Sequence, residues 1–219
     1  MPKNYPDRSF EDSLFSNGFE WIMGVDEVGR GCISGPVGIG VTAMKQDTPA
    51  WPEGLRDSKL VPEKKRAPLR DEVALWVPYY NVAFSTADEI LRDGINPAQA
   101  SAGERALKNI VERIEVQEKI TLTPGNTIII LDGSSNWLAK SRIPFKIIMK
   151  TKADRDCVIV AAASILAKVE RDEYMIKLDP IYPGYGFAGH KGYGSAEHYA
   201  SIRRLGMING IHRESWIKL

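Results

Sequence analysis

The chain reads as an α/β protein: a mixed central sheet flanked by helices, with a small helical extension at the C-terminus. Three observations lead there. Strand-like apolar runs come first, at 21–26, 36–43 and 79–84; helical patterns and buried-strand patterns then alternate; and from Tyr182 the composition turns aromatic, glycine-rich and irregular. Strands first, followed by such alternation, describe a layered structure with a mixed sheet. The organisation expected is a main body over 1–180 and a C-terminal element over 181–219 lying across the sheet.

Taken in order, Trp21-Ile22-Met23-Gly24-Val25 is a short apolar run that ends at Asp26 and Glu27, and Gly29-Arg30-Gly31 follows within two residues. It pairs with the run Pro36 to Ala43 as a hairpin around a glycine-rich turn, and Tyr79 to Phe84 supplies a third strand. Helical patterns cover Glu63 to Trp76, with a charged outer face, and Pro97 to Ile114, where Pro97 suits a first turn. Thr127-Ile128-Ile129-Ile130-Leu131 is nearly all apolar and β-branched, the pattern of a strand covered on both faces, and it stops at Asp132-Gly133. Phe145 to Met149 forms another run. The alanines and Ser164 of Val158 to Leu166 suit a helix packed closely on a sheet. A helix near Ala196 to Leu205 and a tail to Leu219 complete the chain, with no internal repeat and no low-complexity segment.

Composition narrows the functional classes. With 219 residues, 43% hydrophobic and 26% charged, the chain fits one core with an appended subdomain. No apolar stretch approaches the roughly 20 residues of a spanning helix, and Met1 to Arg8 does not resemble a signal peptide. Cys32 and Cys157 are far apart and lack metal spacing, which fits a reducing compartment; a cytoplasmic location is expected. The net charge of +1, from 29 basic and 28 acidic side chains, gives no overall pull toward polyanions. Any phosphate binding must therefore be local: an acidic metal site with separate basic patches would give this near-neutral sum, as would the more common ordinary mixed surface.

Asp26 and Glu27 end one strand and Asp132 another, and the crevice beyond strand ends is where open α/β sheets bind ligands. Converging carboxylates repel one another but suit hard divalent cations, and two ions about 3.5–4 Å apart clamp both oxygens of a phosphodiester displacement. Neighbouring strand residues point to opposite faces, so Asp26 and Glu27 meet at one ion only if the backbone bends or one ligates through its carbonyl; the adjoining glycines would permit a bend. A fourth acid lies in Lys152-Ala153-Asp154-Arg155-Asp156, where helix capping is the plain alternative and local sequence does not choose between Asp154 and Asp156.

Several motifs in register resemble ribonuclease HII, the type 2 ribonuclease H family. They are Gly24 to Gly31 with Ser34-Gly35-Pro36-Val37, Asp57-Ser58-Lys59-Leu60, Asn96-Pro97-Ala98-Gln99-Ala100, Leu131-Asp132-Gly133, Ala161 to Asp172, and Tyr182 to Phe187 with His190-Lys191-Gly192-Tyr193. The resemblance spans about 21 to 216. It implies a ribonuclease H-like fold, with a catalytic domain over 1–180 and an extension over 181–219 that contributes to substrate binding. It also implies a metal-dependent endonuclease acting on RNA in RNA/DNA hybrids and at single ribonucleotides embedded in duplex DNA. Carried over residue by residue, its metal-binding acids fall on Asp26, Glu27, Asp132 and Asp154, the last selected by counting back ten positions from Ser164. Magnesium or manganese is the implied cofactor, in a two-metal arrangement. The related ribonuclease HIII usually carries lysine in place of Arg30 and an extra N-terminal domain, neither of which is seen in this sequence.

A nuclease that separates RNA from DNA must contact the 2′-hydroxyl. Backbone of Gly29, Arg30 and Gly31 suits that approach, and Tyr193 occupies the position of the family tyrosine beside the ribose. Lys59, Asn96, Lys168 and Lys191 fall in matching segments as phosphate contacts that position rather than read sequence, and Ser58 and Ser164 as groups that hold backbone or phosphate. His190, His198 and His212 show no ligand spacing and take no catalytic assignment. Ala153 stands where the family usually has glycine, Arg155-Asp156 adds charge beside the site, and Asp57-Ser58-Lys59-Leu60 lacks a second lysine common there. The expected partners are RNA/DNA hybrids, ribonucleotide-containing duplexes and replication-associated proteins; a monomer with no membrane association is expected. A junction resolvase and a non-catalytic hybrid-binding module are the competing readings, separated by cleavage of all-DNA junctions and by any cleavage at all.

Overall fold

The computed structural model describes residues 5–218. Its strands are β1 (Trp21–Val28), β2 (Val37–Met44), β3 (Tyr79–Ser85), β4 (Thr127–Asp132) and β5 (Lys146–Lys150), joined in one sheet of order β3-β2-β1-β4-β5. The short glycine-rich link after β1 allows only an antiparallel partner, so β1, β2 and β3 form a meander. β4 arrives by a helical crossover and lies parallel to β1, with β5 parallel beside it.

The helices are α1 (Ser9–Ser16), α2 (Glu63–Trp76), α3 (Ala87–Asp93), α4 (Ile95–Glu118), α5 (Ala153–Asp156), α6 (Val158–Leu178), α7 (Phe187–His190) and α8 (Ala196–Leu205). Strand alternation sends each apolar run to two cores at once. Ile22, Ile128 and Ile130 pack under α6 with Ile159, Val160 and Ile165, while Met23, Val25, Ile129 and Leu131 pack under α4 with Leu107 and Ile110. The all-apolar look of β4 follows from this double cover.

α6 lies unusually close to the sheet. A Cβ on Gly24 would stand 2.6 Å from the Ile159 backbone, and one on Gly40 2.4 Å from the Ala163 carbonyl oxygen. Only glycine on the strands admits that contact, against the Ile159–Val160 backbone at Gly24 and against Ala163 and Ala167 at Gly40. The Thr42 hydroxyl adds a hydrogen bond to the Ile159 carbonyl at 2.7 Å. The start of α6, and α5 just before it, are thereby pressed against the ends of β1 and β4.

Several elements exceed the sequence expectation. α1 and α3 were not anticipated, although Thr86 and Glu89 close a capping box on α3. α4 begins at Ile95 rather than Pro97 and continues to Glu118, and α6 continues to Leu178, because charged residues on their outer faces interrupt the apolar stripe without ending the helix. The C-terminal segment buries Tyr185, Phe187, Ile202 and Ile211 against Met175 and Leu178 of α6 and Ile33 after β1, so its core is shared with the body. Among the described residues, no helix is long and apolar enough to cross a membrane.

Candidate active site

β1 stays paired through Val28, with Asp26 opposite Gly40 and Glu27 opposite Ile39, so the bend that the glycines would permit does not occur at these acids. Asp26 therefore shares the α6 face of Ile22, and Glu27 the α4 face of Val25. Asp132 ends β4 on the α6 face, beside Asp26. Its Oδ1 accepts a hydrogen bond from the Ala153 N–H at 2.7 Å, which fastens the start of α5 to the strand end and brings Asp154 alongside. Lys152, in the left-handed region at φ 61°, makes the sharp turn into that helix.

Burial pushes the Asp26 carboxyl well above the usual carboxylate range, and the charges of Glu27, Asp132 and Asp154 push it further, against a hydrogen bond from Ser164. Asp154 is raised to about 7 by burial, then by Asp132 and Asp57, with Lys59 and Arg155 opposing. Glu27 is raised by burial and by Asp132, with Arg30 and Lys59 opposing. The four acids thus feel one another's charge at the end of the sheet. Among the described residues no three acid, histidine or cysteine side chains stand close enough to chelate an ion directly, as mutual repulsion of like charges favours. The donor set still fits magnesium or manganese: it is all carboxylate oxygen, and a hard dication relieves both the desolvation and the repulsion that raise Asp26, Glu27 and Asp154.

In front of Asp26 and Glu27 lies a cleft of about 330 Å³, walled by Gly29, Arg30, Gly31, Ser58, Lys59, Arg66, Ser164, Lys168 and Tyr193. The Lys59 ammonium stands 3.9 Å from Asp154, and that of Lys168 lies 5.8 Å from the Tyr193 ring centre and 2.8 Å from Asp172. Two fully buried arginines hold the loop. Arg171 donates to the carbonyls of Pro36, Ser34 and Lys191 at 2.9, 3.1 and 2.8 Å, while Arg213 donates to Gly29 and Arg30 at 2.8 Å each and to Gly35 at 3.1 Å. Gly29 sits at φ 76°, and a Cβ there would meet Arg171 Nε at 2.0 Å; glycine is required on both counts.

Of the sequence candidates, Asp26, Glu27, Gly29, Arg30, Gly31, Lys59, Lys168 and Tyr193 line this cleft, and Asp132 and Asp154 interact with Asp26 beside it. Asp156 is turned to Lys150 at 2.8 Å. Arg155 pairs with Asp57 at 3.2 Å, so the extra charges beside the site are engaged by partners of opposite sign. Two phosphate candidates are placed elsewhere. Asn96 accepts from Arg30 at 2.9 Å and lines a second cleft with Trp137; Lys191 is 7% exposed, with its ammonium on Glu63 at 3.1 Å and on the Ala188 carbonyl. Sequence reasoning gave no role to Asp57, Arg66, Arg171 or Arg213, nor to buried Gln99, whose side-chain oxygen accepts a hydrogen bond from Arg30. Asp57 was visible as an acid beside Ser58 and Lys59, but an arginine that will be buried against carbonyls looks like any surface arginine.

The sequence model described as Ribonuclease HII matches residues 23–219. The chain is 36% identical over 222 residues to a Ribonuclease HII of Streptomyces avermitilis, covering 100% of this chain and 87% of that one, and 39% identical over 195 residues to one of Caulobacter vibrioides, covering 89% and 83%. The chain belongs to the ribonuclease HII family. Among solved structures, the ribonuclease H2 of Pyrococcus horikoshii superposes with TM-score 0.64 at 26% identity, covering 90% of this chain and 93% of that one. A Bst-RNase HIII in complex with Mn2+ gives 0.69 at 21%, covering 90% and 67%, and the RNase HII of a PCNA complex from Archaeoglobus fulgidus gives 0.66 at 21%, covering 90% and 96%. The last two establish the ribonuclease H fold alone. Ribonuclease HII membership makes the chain an endoribonuclease.

Proposed function

We propose that this protein hydrolyses the RNA strand of RNA/DNA hybrids and incises duplex DNA on the 5′ side of single embedded ribonucleotides, leaving a 3′-hydroxyl and a 5′-phosphate. The observation that carries the reading is the meeting of mutually interacting acids at the ends of β1 and β4 with a cleft wall of bare glycine backbone. Asp26, Glu27, Asp132 and Asp154 would hold the ions. Magnesium or manganese, when bound, supplies an activated water and stabilisation of the leaving oxygen.

The chain's own groups do the rest. Lys59 and Lys168 draw the phosphate over the acids and fix its register without reading bases. The Gly29, Arg30 and Gly31 backbone meets the 2′-hydroxyl, and a deoxyribose leaves that polar wall unpartnered. Tyr193 stands across the cleft to contact the neighbouring sugar, which reports a step from RNA to DNA. Replication-associated proteins belong to the same proposal as partners, supported by the Archaeoglobus complex with PCNA.

The test is cleavage of a duplex carrying one ribonucleotide, of a continuous hybrid and of an all-DNA junction, in magnesium, in manganese and in chelator. Both ribose-containing substrates are expected to be cut, with a 3′-hydroxyl product, and chelator to abolish cutting. Cleavage of the all-DNA junction, or turnover in chelator, would overturn the reading.

A further inference from the structure

Three histidines that the cleft chemistry leaves unused stack behind its tyrosine wall. His198 and His212 are 0% and 2% exposed. The His190 and His198 rings lie 4.0 Å apart and 13° from parallel, and all three rings contact Phe187. A neutral imidazole has one donor and one acceptor nitrogen, so one backbone partner decides its tautomer.

The Ile208 N–H donates to His212 Nδ1 at 2.7 Å, which leaves the His212 proton on Nε2. That nitrogen faces His198 Nε2 at 3.3 Å, so His198 accepts there and carries its own proton on Nδ1. His198 Nδ1 then donates to the Tyr193 carbonyl at 2.8 Å. In parallel, His190 Nδ1 accepts from the Gly192 N–H at 3.1 Å, and its Nε2 donates to the Tyr185 carbonyl at 2.9 Å. Burial pulls both His198 and His212 down to about 4, so the neutral forms this pattern requires are those present near neutrality. Every ring is committed, and the donors run one way, from Ile208 to Tyr193.

The residue after His212 reaches the opposite wall. Arg213 donates to the Gly29 and Arg30 carbonyls, its N–H donates to the Ile33 carbonyl at 2.8 Å, and His212 bridges Ser34. One dipeptide of the C-terminal segment therefore grips both sides of the cleft mouth.

We infer that His198 and His212 are positioning residues for ribose recognition: together with Arg213 they hold the Tyr193 backbone in register with the Gly29–Gly31 loop. The inference rests on the reading that Tyr193 and this loop sense the RNA–DNA step, and it assigns the histidines no contact with substrate.

The experiment compares wild type, Tyr193→Phe, His198→Phe and His198→Asn on the single-ribonucleotide duplex and on the continuous hybrid, with kcat and KM measured separately. An asparagine amide can donate from near the position of the His198 Nδ1, so it preserves the bond to Tyr193. His198→Phe is expected to lose about tenfold in kcat/KM on the single ribonucleotide, the worth of one well-placed hydrogen bond, with a much smaller change on the hybrid; His198→Asn should recover most of the loss. If His198→Phe does not fold, His212→Asn, which still accepts from Ile208 but breaks the contact with His198, is expected to show the same selective loss. Equal losses on both substrates, or no rescue by asparagine, overturn the inference. A selective loss in Tyr193→Phe with none in the histidine variants overturns the relay alone, whereas an unselective Tyr193→Phe overturns the underlying reading as well.

Discussion

Asp132 holds two positions at once: its carboxylate receives the Ala153 N–H and adds to the charge felt by Asp26. Replacing Asp26 or Asp132 with asparagine removes a hard anionic ligand while keeping the shape. Each change is expected to cost several kcal/mol of transition-state stabilisation, about a thousandfold in turnover, with binding of hybrid largely kept; normal turnover by either variant in a steady-state assay would refute the assignment. Tyr193 is 45% exposed at the cleft, and losing its hydroxyl should lower single-ribonucleotide incision about tenfold, read as the ratio of rates on the two ribose-containing substrates. The strand-end positions of Asp26, Glu27 and Asp132 were legible because each acid closes an apolar run, although a strand ending in a polar turn reads the same way. Lys191 was not, since nothing near it in sequence says that its ammonium turns to Glu63, 128 positions away.

At the level of elements, the site depends on how closely α6 approaches the sheet. Gly40→Ala drives a methyl into the Ala163 carbonyl, at 2.4 Å from its oxygen, so strand and helix must separate. A cost of about 3 kcal/mol is expected, at the upper end for overpacking, or roughly 6–12 °C in thermal midpoint for a chain of this size. A midpoint unchanged in thermal unfolding would mean that the helix accommodates the methyl freely. The strands were readable because alternation and β-branching are local. α1 was not, because its short sequence carries few apolar residues and it is held by a distant contact: buried Glu11 accepts the Ile159 N–H at the start of α6 at 3.1 Å.

That contact also shapes the stability of the whole molecule. Burial pushes Glu11 up from 4.5 to about 7, so between these values the folded protein binds more protons than the unfolded chain, and stability falls as pH rises. His198 and His212 act in the opposite sense, being lowered from 6.5 to about 4: their contribution is complete above 6.5 and is lost as pH falls toward 4. Glu11→Gln removes the first effect and leaves the second. The unfolding free energy of the variant is therefore expected to change more favourably than that of wild type between pH 5 and pH 8, by roughly 2–3 kcal/mol, seen as diverging midpoints in paired thermal unfolding curves; parallel midpoints would contradict it. Sequence alone determined the layered α/β class, the strand runs with their terminal acids and the family, because periodicity, side-chain chemistry and motif order are properties of neighbours along the chain. Local sequence left Asp154 and Asp156 undivided and only family spacing chose Asp154; tertiary structure decided that Asp154 interacts with Asp26 while Asp156 leaves for Lys150, and that Arg171, Arg213 and the histidines brace the cleft. Those outcomes rest on contacts such as Ser58 with Ser164, 106 positions apart, which exist only once the sheet and α6 have packed.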